Sequence, residues 1–242
     1  MKIADMIIEA VLDVADLKNN HFAIDDIKIE DKIGNVTEIQ LIKGTLIDKT
    51  IDSSAMPKCI NDAKILLINE PLETMKTRYE SEIEITSPKQ MSQFLVQENN
   101  DLDHLVQNIV NSGANVVISR KGVNDFVQES LAKKGIISMR RVKYNDLWWL
   151  EKAVNAKTCE SIEKISPHEL GFARKIYEKT VGGDPMVFVE GKSPKYVTIL
   201  LIANSKQYLY ELHINILNAF HILPTIIEST FVVCGSCSVE GL

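Results

Sequence analysis

The 242-residue chain has no apolar run that reaches the roughly 18 residues needed to cross a bilayer. It also lacks a signal-peptide layout, because Asp5 and Glu9 interrupt the apolar residues near its start. Its net charge is -6, and Lys and Glu alternate rather than cluster, which argues against a nucleic-acid-binding face. These absences predict a cytoplasmic protein that binds neither membranes nor nucleic acid.

Cysteine is scarce, and four cysteines do not form a disulfide framework in a chain of this length. Cys234 and Cys237 have the CxxC spacing, which is typical of thiol redox exchange or of half a zinc site. A zinc site needs a second ligand pair, and a redox motif should open a helix after a strand; the sequence predicts neither context. The spacing by itself therefore leaves a CxxC redox protein as an alternative.

Signatures of catalysis are also missing. The five histidines show no HExxH or paired spacing, so we expect no metal site. No Gly-x-Ser-x-Gly motif and no Walker-type phosphate loop occurs. The residues alone therefore predict that the chain is not an enzyme and carries no cofactor.

The chain has the composition of an ordinary globular protein, with 45% hydrophobic and 25% charged residues. Apolar periodicity predicts a helix over residues 2–16, short strands within 22–85, and a helix that begins at Ser87-Pro88. The apolar face of that helix pauses at residues 97–101, which predicts a kink or a helix end. A last helix is expected over 207–227, kinked or started late by Pro224.

The middle of the chain alternates between strands and helices. Strands are predicted at residues 115–119 and 136–140, and helices at 123–134 and 146–156. Gly113 and Gly135 stand where the helices before the strands should stop. Further strands are expected at 187–189 and 197–202. This alternation predicts an α/β core with parallel strand pairing.

An ordered set of short motifs runs through nearly all of the sequence. It begins with Leu41-Ile42-Lys43-Gly44, Met56-Pro57-Lys58, Ala63-Lys64-Ile65-Leu66-Leu67 and Pro71-Leu72-Glu73. It continues in order through Ile85-Thr86-Ser87-Pro88, Gly113-Ala114-Asn115-Val116-Val117, Lys121-Gly122, Leu131-Ala132-Lys133, Arg140-Arg141-Val142, Leu170-Gly171-Phe172-Ala173, Val187-Phe188-Val189-Glu190-Gly191 and Val197-Thr198-Ile199-Leu200-Leu201. The set resembles the apical domain of group II chaperonins, the family of the archaeal thermosome and the eukaryotic cytosolic chaperonin.

The resemblance implies a fold and a domain order. The expected fold is α/β: a chaperonin apical domain of mixed sheets flanked by helices, with a helical protrusion, inserted in a small helical intermediate domain. It places the intermediate domain at residues 1–29 and 196–242 and the apical, client-binding domain at 30–195. Nothing in the sequence corresponds to the family's equatorial domain, which supplies most of the nucleotide site. ATP and Mg²⁺ are therefore expected only where the full-length family architecture is present.

The resemblance also implies where unfolded polypeptide would bind. The helix from Ser87 resembles the family's protrusion, and Met91, Phe94 and Leu95 are its candidate client-binding residues; packing against the domain core is an equal alternative. The helix over 123–134 resembles the second client-facing element. We expect Asp125, Gln128 and Glu129 to point outward from it, either to contact clients or as an ordinary solvated face.

The family's catalytic position differs in this chain. The family has a Leu-His-Asp-Ala motif in its last intermediate helix, and the matching residues here are Ile216-Leu217-Asn218-Ala219. Asn218 keeps the shape of aspartate but cannot take a proton or carry its charge. The resemblance thus predicts a chaperonin-like protein that binds unfolded polypeptide, without ATPase activity of its own. The alternative is a fragment or regulatory partner of an ATP-dependent chaperonin ring, with full-length chaperonin subunits as its partners.

Overall fold

The computed structural model describes residues 3–15, 23–73, 88–162, 165–192 and 196–228. The elements of these residues, in chain order, are α1 (Ile3–Val14), β1 (Ile27–Ile33), β2 (Glu38–Ile42), β3 (Gly44–Ile47), β4 (Cys59–Ile68), α2 (Pro88–Ser112), β5 (Val116–Ser119), α3 (Asp125–Lys133), β6 (Ile137–Met139), α4 (Tyr144–Val154), β7 (Thr158–Cys159), β8 (Gly171–Val181), β9 (Asp184–Gly191), β10 (Val197–Ala203) and α5 (Lys206–Glu228). Short 3-10 turns lie at Ile24–Asp26 and Pro167–Glu169.

The chain forms two compact units. The first unit combines residues 1–43 with residues 193–242, and the second unit is formed by residues 44–192. The resemblance placed residues 30–43 in the inserted domain, whereas the structure includes them in the first unit. The reason is strand pairing, because β1 and β2 both hydrogen-bond to β10.

The first unit contains a three-stranded sheet in the order β1-β10-β2. All seven residues of β10 are buried, as expected for a central strand covered on both faces. β1 runs parallel to β10 and β2 runs antiparallel to it. Both terminal helices pack against this sheet in one core, to which α1 contributes Ala10 and Val11 and α5 contributes Leu209, Ile216 and Phe220.

The second unit contains a larger mixed sheet. Among the described residues its order is β3-β9-β8-β4-β5-β6, with β7 paired to β4. The pairs β4–β5, β5–β6 and β4–β7 are parallel, and the pairs β4–β8, β8–β9 and β9–β3 are antiparallel. The predicted parallel pairing is therefore correct for one half of this sheet. The mixed α/β class that was predicted is confirmed.

Helices α2 and α3 cover one face of the parallel half. Leu102, Val106 and Ile109 of α2 share a buried cluster with Val127 and Leu131 of α3 and with strand residues of β4 and β5. Burying side chains of this size stabilises the fold by about 1.5–3 kcal/mol each before the entropy cost of folding is subtracted. The two helices are thus held next to each other by a common core.

The predicted helix ends agree with the backbone. Gly113 and Gly135 follow α2 and α3 with φ of 76° and 71°, in the left-handed region that glycine adopts without strain. Gly44 has a different reason to be glycine, since a Cβ at this residue would lie 2.0 Å from the carbonyl oxygen of Val189 in the paired strand. β3 can approach β9 only because that side chain is missing.

Three details go beyond the sequence predictions. α2 does not end where its apolar face pauses, at residues 97–101, but continues to Ser112. α5 does not start late at Pro224, because it begins at Lys206 and includes Pro224 on its way to Glu228. β8, an eleven-residue strand, was not predicted, because its side chains alternate irregularly between buried and exposed positions.

Candidate functional site

Helix α3 is anchored at its first turn. The side-chain Oδ1 of Asn124 accepts a hydrogen bond from the Phe126 N–H at 2.9 Å, which caps the helix. The Leu72 N–H donates to the Gly122 carbonyl at 3.0 Å, and the Asn124 N–H donates to the Leu72 carbonyl at 2.8 Å. These two hydrogen bonds tie the segment that contains Leu72 to the start of α3. They therefore fix where α3 begins and which of its residues face outward.

Asp125 and Glu129 lie on that outward face, as predicted. The side chain of Asp125 is 89% exposed and pairs with Arg140 Nη1 at 3.0 Å. The side chain of Glu129 is 68% exposed and pairs with Lys133 Nζ at 3.0 Å, one helical turn later. Exposed pairs of this kind contribute only about 0.2–1 kcal/mol, so both carboxylates can exchange their present partners for others.

Gln128 does not point outward, so this part of the prediction is wrong. The residue is 7% exposed, and its Nε2 donates a hydrogen bond to Oδ2 of Asp52 at 3.0 Å. Burial raises the pKa of the Asp52 carboxyl, although the nearby Arg140 guanidinium acts in the opposite direction. Gln128 is held inside because its amide donates to a partly buried carboxylate that lies far away in the sequence.

The protrusion candidates belong to α2. Their backbone is helical, but the side chains of Met91, Phe94 and Leu95 lie outside the described part of the structure. Val96, the next residue, is 59% exposed, whereas Leu102 further along the helix is 2% exposed. The described part of α2 thus changes from an exposed apolar residue near its start to core packing near its end.

Asn218, which the resemblance assigns to the family's catalytic position, is an exposed residue of α5. Ile214 and Ile222, one turn before and after it, are 37% and 61% exposed. On the same helix Nδ1 of His213 lies 2.9 Å from Oδ2 of Asp31. The loss of nucleotide chemistry at Asn218 stays a prediction.

The described cysteines are of two kinds. Cys59 is exposed, and Cys159 is buried, with its Sγ donating to Oε2 of Glu169 at 2.9 Å. Burial, followed by this hydrogen bond, raises the pKa of Cys159 to about 12. Cys159 is therefore a poor nucleophile, since only the thiolate reacts readily. Cys234 and Cys237 lie outside the described residues.

The part of the chain that the structure describes contains no group of three or more His, Cys, Asp or Glu side chains arranged to hold a metal ion. No helix within it combines the length and the hydropathy of a transmembrane span.

Sequence reasoning missed the polar network below α3. It joins Asp52, Gln128 and Arg140, with Arg140 Nε 3.9 Å from Oδ1 of Asp52. Nothing local to these residues predicts that they meet, because Asp52 lies in a loop after β3 and Arg140 follows β6. A pattern of a single helix cannot reveal such a partner.

Comparison with known proteins gives the class and the family. The model of the TCP-1/cpn60 chaperonin family matches residues 1–241. The chain is 40% identical over 242 residues to a thermosome subunit of Pyrococcus abyssi, and 39% identical over 244 residues to the thermosome subunit alpha of Saccharolobus solfataricus. These matches include 98% and 99% of this chain but 44% of each relative.

A solved structure agrees with these matches. The open-state monomer of a group II chaperonin from Methanococcoides burtonii superposes with a TM-score of 0.77 at 28% identity, over 98% of this chain and 54% of that one. The architecture matches that of part of a group II chaperonin monomer. The chain belongs to the TCP-1/cpn60 chaperonin family and spans less than half of the length of the thermosome subunits that it matches.

Proposed function

We propose that this chain binds non-native polypeptide through the second unit and does not hydrolyse ATP by itself. The observation that carries the proposal is the shared core of α2 and α3, which holds the two candidate client-facing helices next to each other. Their outward residues include the exposed Val96 of α2 and the exposed carboxylates of Asp125 and Glu129 on α3. An apolar residue on one helix and acidic residues on the other, with both helices held by one core, can bind a chain that exposes both apolar and basic residues.

The apolar part supplies affinity. A client gains about 25 cal/mol for each Å² of apolar surface that it buries, and several exposed residues in one turn of helix can bind sequences of different shape. Met91 suits this role because its flexible thioether adapts to irregular surfaces. The acidic part supplies selectivity, since Asp125 and Glu129 attract basic segments and repel acidic ones.

The proposed lack of ATPase activity rests on the sequence. Nucleotide hydrolysis needs converging backbone amides, a cation, Mg²⁺ ligands and a group that orients water. The sequence has no Walker-type phosphate loop, and Asn218 cannot act as a general base.

A second candidate function is partnership with full-length chaperonin subunits. The first unit has apolar side chains that are more than half exposed, among them Ile8 and Leu12 on α1 and Ile222 and Ile226 on α5. Exposed apolar residues at one-turn spacing are typical of a helix that packs against another protein surface. Co-purification with full-length subunits, weakened by Ile222→Ser with Ile226→Ser, would support this function.

Client binding can be tested by suppression of aggregation. A heat-labile client is warmed with the protein in the absence of nucleotide, and its light scattering is recorded. We expect the Met91→Ser, Phe94→Ser, Leu95→Ser variant to lose most of the suppression while its melting temperature stays within a few degrees of the parent. The matched control, Ile8→Ser with Leu12→Ser, changes exposed apolar residues of the first unit and should suppress aggregation as the parent does.

Two results would contradict the proposal. If the parent protein does not suppress aggregation of any of several clients, polypeptide binding is wrong. If the triple variant melts much earlier, the three residues belong to the core, where each truncation costs roughly 2–5 kcal/mol. The alternative site can then be examined with Asp125→Asn and Glu129→Gln, which leave the core unchanged.

A further inference from the structure

The second unit contains an open cleft of about 270 Å³ that the family comparison does not assign. It lies at the carboxyl ends of the parallel strands β4 and β5, because Asn69 follows β4 and Arg120 follows β5. Thr158 of the short strand β7 also lines it and pairs with Leu67 near the end of β4. In open α/β sheets this edge is where ligands bind, because the loops diverge there and leave a crevice. The cleft is separate from the residues proposed above to contact clients.

Two aromatic rings on α4 line the cleft. Tyr144 and Trp148 are one helical turn apart, so both rings lie on the same side of the helix. The Arg120 guanidinium carbon lies 5.1 Å from the centre of the Tyr144 ring, and Lys152 Nζ lies 3.9 Å from the centre of the Trp148 ring. Each ring already attracts a cation of the protein itself, which shows the kind of group that these surfaces bind.

The charged side chains of the cleft differ in how they are engaged. Glu151 and Glu160 are the acidic residues of the lining and Arg120 is its basic residue, while Lys152 places a second cation over the Trp148 ring. Oε1 of Glu151 accepts a hydrogen bond from the Thr158 N–H at 2.9 Å, and Nη1 of Arg120 donates to Oδ1 of Asn69 at 3.3 Å. Glu160 is exposed at the rim. An exposed carboxylate and an aromatic ring that line one cleft favour a cationic ligand over an anionic one.

We propose that this cleft binds the cationic side chain of an arginine or lysine in an extended polypeptide segment. The side chain would lie between the aromatic wall of Tyr144 and the carboxylate of Glu160. The inference rests on the proposed function, because it gives a non-native client a second contact point in the same unit. It adds a chemical preference for basic segments.

Arg120 has a specific part in this proposal. Its guanidinium stands over Tyr144, where the ligand would stack, and it carries the same charge as the ligand. Arg120 therefore competes with the incoming cation. Arg120→Gln should strengthen binding of a basic peptide, whereas an anion site built on Arg120 would lose affinity in the same variant.

The experiment uses the full chain and short capped peptides. Ac-Gly-Arg-Gly-NH₂ is titrated while tryptophan fluorescence is recorded, since Trp148 is one of only two tryptophans and lines the cleft. The matched peptide with citrulline has nearly the same shape without the charge, and the matched peptide with glutamate has the opposite charge. We expect saturable quenching with the arginine peptide, weakened by salt, and at least tenfold weaker binding of the other two peptides.

The variants should have effects of opposite sign. Glu160→Gln and Tyr144→Leu should each weaken arginine-peptide binding about threefold or more, and Arg120→Gln should tighten it by a similar factor. Glu211→Gln changes an exposed acid of the first unit and should have no effect. Tighter binding of the glutamate peptide, or equal affinity of the parent and Glu160→Gln, would overturn the inference. Equal binding of free argininamide would also overturn it, because the site would then take a small guanidinium compound rather than a polypeptide.

The two proposals fail separately. If aggregation is not suppressed but the arginine peptide binds with these variant effects, the proposed client function is wrong and the cleft remains a peptide site. If aggregation is suppressed but no peptide quenches Trp148, the client function stands and this inference is wrong.

Discussion

Nε2 of Gln128 donates a 3.0 Å hydrogen bond to Oδ2 of Asp52, and this contact fixes the inner side of α3 to the loop after β3. Gln128→Ala should lower the free energy of unfolding by about 1–3 kcal/mol, because the partly buried carboxylate of Asp52 loses its amide donor. Urea unfolding followed by circular dichroism measures this loss.

The matched control for Gln128 is its neighbour. Glu129 is exposed, so Glu129→Ala should change the free energy of unfolding by less than about 0.5 kcal/mol. Equal losses for the two variants would show that Gln128 does not support Asp52 in solution.

Glu178 should make stability depend on acid pH. Burial by itself would raise the pKa of Glu178, but hydrogen bonds from the Ile51 N–H, Lys58 Nζ and the Thr50 hydroxyl outweigh it, and the pKa lies below its ordinary value of 4.5. A lowered pKa in the folded state means that the carboxylate stabilises the fold above pH 4.5. This contribution is lost as the pH falls through the lowered pKa.

Glu178→Gln therefore should unfold more easily near pH 7 and should show a shallower loss of stability below pH 4.5 than the parent. Chemical unfolding at several pH values between 3 and 7 measures both effects. Glu129→Gln, a change at an exposed carboxylate, serves as the reference. Parallel curves for the parent and Glu178→Gln would exclude the predicted linkage.

Cys159 should resist alkylation in the folded protein. Its pKa is raised to about 12 by burial and by the hydrogen bond to Glu169, so it has almost no thiolate at pH 8. Iodoacetamide labelling followed by peptide mapping should modify the exposed Cys59 rapidly and Cys159 only after unfolding. Comparable labelling rates at Cys59 and Cys159 in the native protein would disagree with the structure.

Asn218→Asp should not create ATP hydrolysis in the 242-residue chain. A carboxylate can orient water, but turnover also requires bound phosphates and Mg²⁺, for which the sequence has no Walker-type loop. Phosphate release should equal the buffer rate for both the parent and the variant, with a full-length thermosome as the positive control. A gain of turnover in Asn218→Asp would show that this chain contains a nucleotide site.

Some of this architecture followed from the sequence by itself. The alternation of β5, α3, β6 and α4 could be predicted because each element has its own apolar periodicity in the sequence. The glycines at 113 and 135 mark helix ends, because glycine adopts the left-handed backbone conformation found there. The ordered motifs identified the family, because short motifs in a fixed order over most of a chain are specific even when each motif is weak. Asp125 and Glu129 could be assigned to an exposed face from helix geometry and charge alone.

Other features were decided only by tertiary structure. β8 is antiparallel to β4 and β9. Its irregular pattern of buried and exposed residues is explained only by its pairing with those two strands. β1 and β2 belong to the first unit because they pair with β10, from the other end of the chain. The sequence predicts Gln128 to be a surface residue, and only the fold brings Asp52 beside it. The cleft likewise depends on the fold, which brings Arg120, after β5, over the ring of Tyr144 on α4. Local sequence sets periods, caps and exposure within one element, whereas pairing between distant segments depends on which buried surfaces and polar groups satisfy one another in the folded chain.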